Sequence, residues 1–418
     1  MTTQAAASKA SVERFDAVIV GAGMVGTALA GLLAKAGMQV ALVEAKAAPL
    51  QLSTFGEHSP APRVSALTPV SQRLLTHLGA WPAMEATRVT PYRYMQVWDA
   101  EGSGSIDFSA DEAGTSVLGH IVENDITLAA LNEQVLKLPT VNTFFGANIQ
   151  ALQTTGSGRW LVLDDSRQLH TSLLIAADGA RSTLRELAGI KVAEDAMEQD
   201  ALVTTVLCEK THGATARQAF VAGQPLAFLP LTVNGDDRYC SIVWSTAPEH
   251  AEELAALSWE RLGETLGRAF NHRLGKVTVV DNAHRFPLVQ RHASHYIQPN
   301  FALVGDAAHS IHPLAGQGVN LGFMDAAVLA EEVVAAWRRG APWGALTTLA
   351  RYERRRRFDN SAMLGLMKGF KVLFGSQIPA LTLVRNLGMS GMNQVVPVKR
   401  MVMRQATGER GRLPLSCR

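Results

Sequence analysis

A chain of 418 residues is long enough for two or three structural units and a large buried core. Hydrophobic residues make up 47% and charged residues 18%, which excludes a disordered chain. Lys and Arg number 39 against 37 Asp and Glu, and the formal net charge of +2 excludes a global nucleic-acid footprint. The three cysteines, Cys208, Cys240 and Cys417, are too few and too far apart for a disulfide framework or a Cys-rich metal site, and they point to a reducing compartment. No run of about 18 apolar residues occurs, so no membrane-spanning helix is expected. Residues 1–14 lack the apolar core of a secretory signal and are expected to be a frayed tail.

Asp16 to Val20 is a short apolar run that Gly21 ends. Small residues at close spacing then predict a helix over 23–36, capped by Gly37, and Val40 to Val43 predicts a second buried strand ending in Glu44. Strand, glycine turn, helix and strand in about 30 residues make a βαβ unit and imply a parallel sheet. Helices are predicted over 69–81, 126–138, 183–188, 249–274 and 325–339. Alternation predicts an antiparallel pair within 92–108, and 160–163 with 169–176 reads as a hairpin running into Asp178-Gly179. Residues 200–245 are strand-like with a turn at Asn234-Gly235, and 301–304 is a buried strand ending in Gly305-Asp306. The expected architecture is a discontinuous α/β nucleotide domain with an antiparallel domain inserted at roughly 181–284 and a helical C-terminal region.

Three motifs carry chemistry. In the first, Gly21 allows a tight turn, Gly23 lets a pyrophosphate approach the backbone, and Gly26 lets helix and sheet pack closely. The helix N-terminus offers unpaired N–H groups to phosphates. Glu44, at the next strand end, can accept both ribose hydroxyls of an adenosine and would repel a 2′-phosphate. This pattern alone does not separate FAD from NAD. The second and third motifs, Asp178-Gly179 and Gly305-Asp306, each set an aspartate at the C-terminal end of an apolar strand, where open α/β sheets bind ligands.

The trio resembles the FAD-dependent aromatic hydroxylases of the para-hydroxybenzoate hydroxylase class. That resemblance implies a Rossmann-like FAD-binding domain of the glutathione-reductase type. It would comprise 15–90, 112–180 and 285–360, with a substrate domain over 91–111 and 181–284 and a helical C-terminal region over 361–418. It also implies that Glu44 holds the adenosine ribose and Asp306 the ribityl chain. Asp178 with Gly179 would serve the pyrophosphate and the docking of NAD(P)H. Arg63 and Asn124 match further FAD-contacting positions. The loop from Pro313 through Gly316, Gly318, Val319 and Asn320 would face the flavin ring, where N–H groups and a positive helix end stabilise the anionic reduced flavin. His309 and His312 lack a carboxylate or Cys cluster to complete a metal site, and no metal is expected.

The likeness runs from about residue 15 to 410 and is nearest to the ubiquinone-biosynthesis hydroxylases, which act on polyprenylated phenol or benzoquinol rings. It is carried by Arg63 to Leu67, Leu78 to Trp81, Gly223 to Pro230, Tyr352 to Asn360, and Arg385 to Gly388 with Asn393, Pro397 and Lys399. One departure is Glu198, where relatives often carry an aromatic residue before the position of Gln199. The implied reaction uses NAD(P)H and O₂. Oxygen is carried as a flavin C4a-hydroperoxide, which must be kept from water. Phe228, Leu229, Pro230, Pro313 and Leu314 are the candidates for that dry wall, and no general base is marked. Residues 361–403 hold six of 13 methionines with interleaved cations, which suits a polyprenyl chain, a partner protein from the same pathway or an anionic membrane surface. The expected location is cytoplasmic and peripheral to the inner membrane or within a soluble biosynthetic complex. Arg354 to Arg357 reads as a solvated helix face. Two alternatives stay open: a hydroxylase of a small soluble phenol, and a non-catalytic FAD-bearing scaffold. A halogenase is disfavoured because no Trp-x-Trp-x-Ile-Pro segment is present.

Overall fold

Ala17 to Val20 is buried along its whole length, as an apolar β-branched run must be when both faces of a sheet are covered. It lies inside a six-stranded sheet of order 297–298, 301–303, 174–176, 17–20, 40–44 and 141–145. The last five strands run parallel, and only Ile297–Gln298 is antiparallel. The helix Met24–Lys35 packs on this sheet and against the helix Gly318–Trp337. The computed structural model describes residues 12–55, 60–156, 158–310, 318–375, 403, 407–409 and 411–418.

A second, larger sheet is mostly antiparallel. Its spine is the 17-residue strand Val192–Cys208, which pairs with Asp236–Thr246 on one side and His284–Ala293 on the other. Asn234 (φ 50°) and Gly235 (φ 79°) make the two-residue turn before Asp236, as a right-twisted hairpin requires. The helix Trp259–Ala269 presents Leu262 and Leu266 to one face, where Phe228, Ile242 and Phe270 form a core. Ser258 caps this helix through a bond from Arg261 N.

Several expectations change. Val12–Phe15 is not a tail but a strand, parallel to Gln168–Thr171; residues 1–11 lie outside the described residues. The run 169–176 is two strands in two sheets: Gln168–Thr171 joins a four-stranded sheet, while Leu174–Ala176 enters the parallel one. The break falls at the polar His170-Thr171-Ser172 step between the two apolar pieces. The large sheet also extends past residue 284, because His284–Ala293 and His309–Ser310 both belong to it. Glu198 sits with φ 51° where the pairing between 196 and 200 shifts register, a bulge that turns the spine strand locally.

Candidate active site

Parallel pairing places four strand ends side by side. Val20 is level with Val43 and with Ala176, and Ala176 with Leu303. Glu44, Gly21, Asp178 and Asp306 therefore follow one another in that order along the C-terminal edge of one sheet. The glycine turn is dictated sterically. Gly21 has φ +103°, and a Cβ there would stand 2.3 Å from the Ala177 carbonyl oxygen. A Cβ on Gly23 would meet nothing within 4 Å. Gly23 instead faces an open cavity of ≈ 550 Å³ between the parallel-sheet edge and the large sheet.

Gly23, Arg63, Asn124, Gly179, Asp306, Gly318, Val319 and Leu229 all line this cavity. Arg63 lies over the Phe286 ring, 5.6 Å from its centroid. Asn124 donates its backbone N–H to Arg63 O, and its Oδ1 accepts from Ser65 Oγ at 2.6 Å. Asp306 is exposed, into the cavity. Desolvation by the surrounding protein raises its carboxyl pKa, against the pull of His309 and Arg63.

Other residues hold the frame. Glu44 is half-buried beside the turn; Oε2 accepts from Ala22 N at 2.7 Å and Oε1 from Lys46 N at 3.0 Å. Asp178 points beneath its loop, where Oδ2 accepts from Leu184 N at 3.1 Å at the start of the helix Thr183–Leu187. Burial raises its pKa, partly offset by Ser182, and Oδ1 is buried with no hydrogen-bond partner. The Asn320 side chain is committed to protein: Oδ1 accepts from Thr68 N and Ser71 Oγ, and Nδ2 donates to Ala66 O. Gly305, with φ +59°, donates its N–H to Asp325.

Strand alternation corrects the proposed wall. Leu229 faces the cavity with Ala201, Val203 and Val243, but Phe228 points to the opposite face and stacks on Phe270 at 3.7 Å. Pro230, next along the strand, is likewise absent from the lining. Pro313, Leu314 and Gly316 lie outside the described residues, as do His312 and residues 376–402. The sequence reading missed Phe286, Pro287, Leu288, Val289 and Arg291, which run across the cavity. The apolar run Phe286 to Val289 is a strand signal, but the sequence assigns 285–360 wholly to the other domain. Arg291 Nε binds Glu194 Oε1 at 2.8 Å.

A buried polar cluster backs the site. Asp325 is fully buried; its Oδ2 is 2.6 Å from His309 Nε2, and its Oδ1 accepts from Arg356 Nε at 2.7 Å. Burial would raise the Asp325 carboxyl, yet His309 and Arg356 together hold it down at about 2. Arg356 also donates to Asn360 Oδ1 at 2.9 Å. Arg354 to Arg357 is therefore not one solvated face: Arg356 turns inward at 2% exposure because it neutralises a buried carboxylate.

A family model described as an FAD binding domain matches residues 14–364. The chain belongs to this family of FAD-dependent monooxygenases. The 3-demethoxyubiquinol 3-hydroxylase of Escherichia coli (strain K12) is 37% identical over 394 residues, covering 94% of this chain and 98% of the relative. The mitochondrial ubiquinone biosynthesis monooxygenase COQ6 of Xenopus tropicalis is 36% identical, covering 93% and 92%. In fold, the chain is similar to p-nitrophenol 4-monooxygenase PnpA from Pseudomonas putida DLL-E4 (TM-score 0.75, 21% identity, 96% of this chain and 100% of that one). It is also similar to PqsL, a probable FAD-dependent monooxygenase from Pseudomonas aeruginosa (TM-score 0.75, 24% identity, 91% and 100%). The cavity of this FAD monooxygenase fits its cofactor. Gly23 leaves backbone open at a helix N-terminus, Asp306 offers a carboxylate to hydroxyls, and Arg63 offers a cation.

Proposed function

We propose that the protein hydroxylates the aromatic ring of a polyprenylated phenol or benzoquinol in ubiquinone biosynthesis, using NAD(P)H and O₂. The observation that carries this reading is the near full-length similarity to ubiquinone hydroxylases, 37% over 94% of the chain, joined to a cavity with an apolar wall opposite its polar edge. In this reading Glu44 holds the adenosine ribose, and Gly21, Gly23, Gly26, Asp178 and Gly179 frame the pyrophosphate. Arg63, Asn124 and the backbone of Gly318, Val319 and Asn320 complete the site, and Asp306 takes the ribityl hydroxyls. Bound FAD would supply the redox chemistry, accepting a hydride equivalent and activating O₂.

The chain's own task is to orient the ring and exclude water. Ala201, Val203, Leu229, Val243 and Phe286 offer no hydrogen bond to water at their side chains, which suits a dry wall. Arg291 would hold a ring oxygen. It is the one charged residue that the large sheet contributes to the lining, and Glu194 engages only its Nε among the described residues. A guanidinium there favours the ionised, more electron-rich ring.

The polyprenyl tail and a membrane surface fit the helix Leu346–Gly375, where Phe358 is 77% exposed beside exposed Arg354 and Arg357. Among the described residues no helix is long and apolar enough to cross a membrane. The reading is tested by mass spectrometry of quinone intermediates in cells lacking the protein. Accumulation of a ring one hydroxyl short is expected. An unchanged quinone profile, or purified protein whose NAD(P)H oxidation responds only to short, tail-less phenols, overturns it. FAD-loaded protein with no substrate-stimulated oxidation would mark a scaffold instead.

A further inference from the structure

The turn that carries Asp306 is gripped from behind. Gly305 and His309 are its two ends, and Ala308 N donates to Gly305 O at 2.9 Å within it. One oxygen, Asp325 Oδ2, meets both ends: it accepts from Gly305 N at 3.0 Å and lies 2.6 Å from His309 Nε2. The other, Oδ1, is occupied by Arg356 Nε at 2.7 Å. Asp325 sits in the helix that begins at Gly318 on the cavity, so one carboxylate ties a helix bordering the cavity to the turn that aims Asp306 into it.

The division of labour between the two oxygens matters. Arg356 compensates the charge of the buried carboxylate, but the geometry of the turn depends on the other oxygen, which Arg356 does not touch. A group held only by backbone turn bonds would sample more than one direction, and a misdirected carboxylate loses its charge-assisted bonds. We propose that Asp325 is a positioning residue for FAD: by fixing Gly305 and His309 it sets the direction of Asp306. This inference rests on the reading of the cavity as the FAD site.

The test is a double-mutant cycle on the full chain. Asp325→Asn and His309→Gln are each made alone and together with Asp306→Asn. The FAD dissociation constant is read from quenching of flavin fluorescence, and the melting temperature is read on the FAD-free protein. Either single change is expected to weaken FAD by about tenfold or more. In the Asp306→Asn background it is expected to weaken FAD by less than about twofold, because the group it aims is already altered. His309→Gln leaves the Asp325–Arg356 pair intact, so it carries the test should Asp325→Asn fail to fold. Effects that multiply across the cycle, or a lower melting temperature with unchanged FAD affinity, overturn this inference alone. Wild-type protein that binds no FAD overturns the reading of the cavity as well.

Discussion

Gly26 lies so close to Gly21 that a Cβ on Gly26 would stand 1.9 Å from the Gly21 carbonyl oxygen. No side chain yields at that contact, because the obstacle is backbone. Gly23, between them, has open space around it. Gly21 and Gly26 are thus required by the fold and Gly23 only by what enters the cavity.

Alanine at the two kinds of position should therefore act differently. Gly26→Ala is expected to destabilise the FAD-free protein by about 1–3 kcal/mol through overpacking. Gly23→Ala should leave it within about 0.5 kcal/mol and lower FAD affinity alone. Urea unfolding of both variants, beside FAD titration, checks this.

Asp306→Ala should have effects of opposite sign. Desolvation by the cavity walls raises the carboxyl pKa even though the group opens into the cavity, so the ionised form costs the fold stability at neutral pH. Removing it is expected to raise, or leave unchanged, the melting temperature of FAD-free protein. FAD affinity should fall by about 1.5–3 kcal/mol, the range of a hydrogen bond to a charged group. Fully flavin-loaded Asp306→Ala protein would contradict the site.

His120 gives the fold an acid limit. It is buried with its ring edge-on to Trp81 at 4.9 Å, and desolvation pushes its pKa down to about 4, partly offset by Glu85. The unfolded chain titrates near 6.5, so the fold holds its full share of stability above that value and loses it as pH falls toward 4. The expected loss is about 3 kcal/mol. Urea midpoints across that range should fall in the wild type and stay flatter in His120→Gln. Asp325, held at about 2, adds its own loss only at lower pH, below the usual carboxylate value.

Neighbours on one strand should divide stability from specificity. Phe228→Ala removes a ring stacked on Phe270 and is expected to cost about 3–5 kcal/mol in unfolding free energy. Leu229→Phe adds bulk on the cavity side. It should raise the KM for the ring substrate while FAD loading stays intact, which steady-state kinetics and the flavin spectrum would report together.

The sequence alone was enough for the parts governed by local rules. The run Ala17 to Val20, the three glycines, and the aspartates after buried strands mark a nucleotide edge, because a tight turn and a close phosphate approach each demand a residue type at a set spacing. The helix around 24–35 was legible from its apolar content for the same reason, whereas the later helix begins at Gly318, inside the segment expected to be a glycine-rich loop, and not at Asp325. Tertiary structure decided what depends on partners distant in the chain. It turned Phe228 away and Leu229 inward, brought the strand 284–293 across the cavity, and made Arg356 a buried cation among exposed arginines. Spacing along one element shows which residues share a face. What that face meets depends on another element, here a carboxylate 31 residues away, whose charge cannot be buried without a counter-ion.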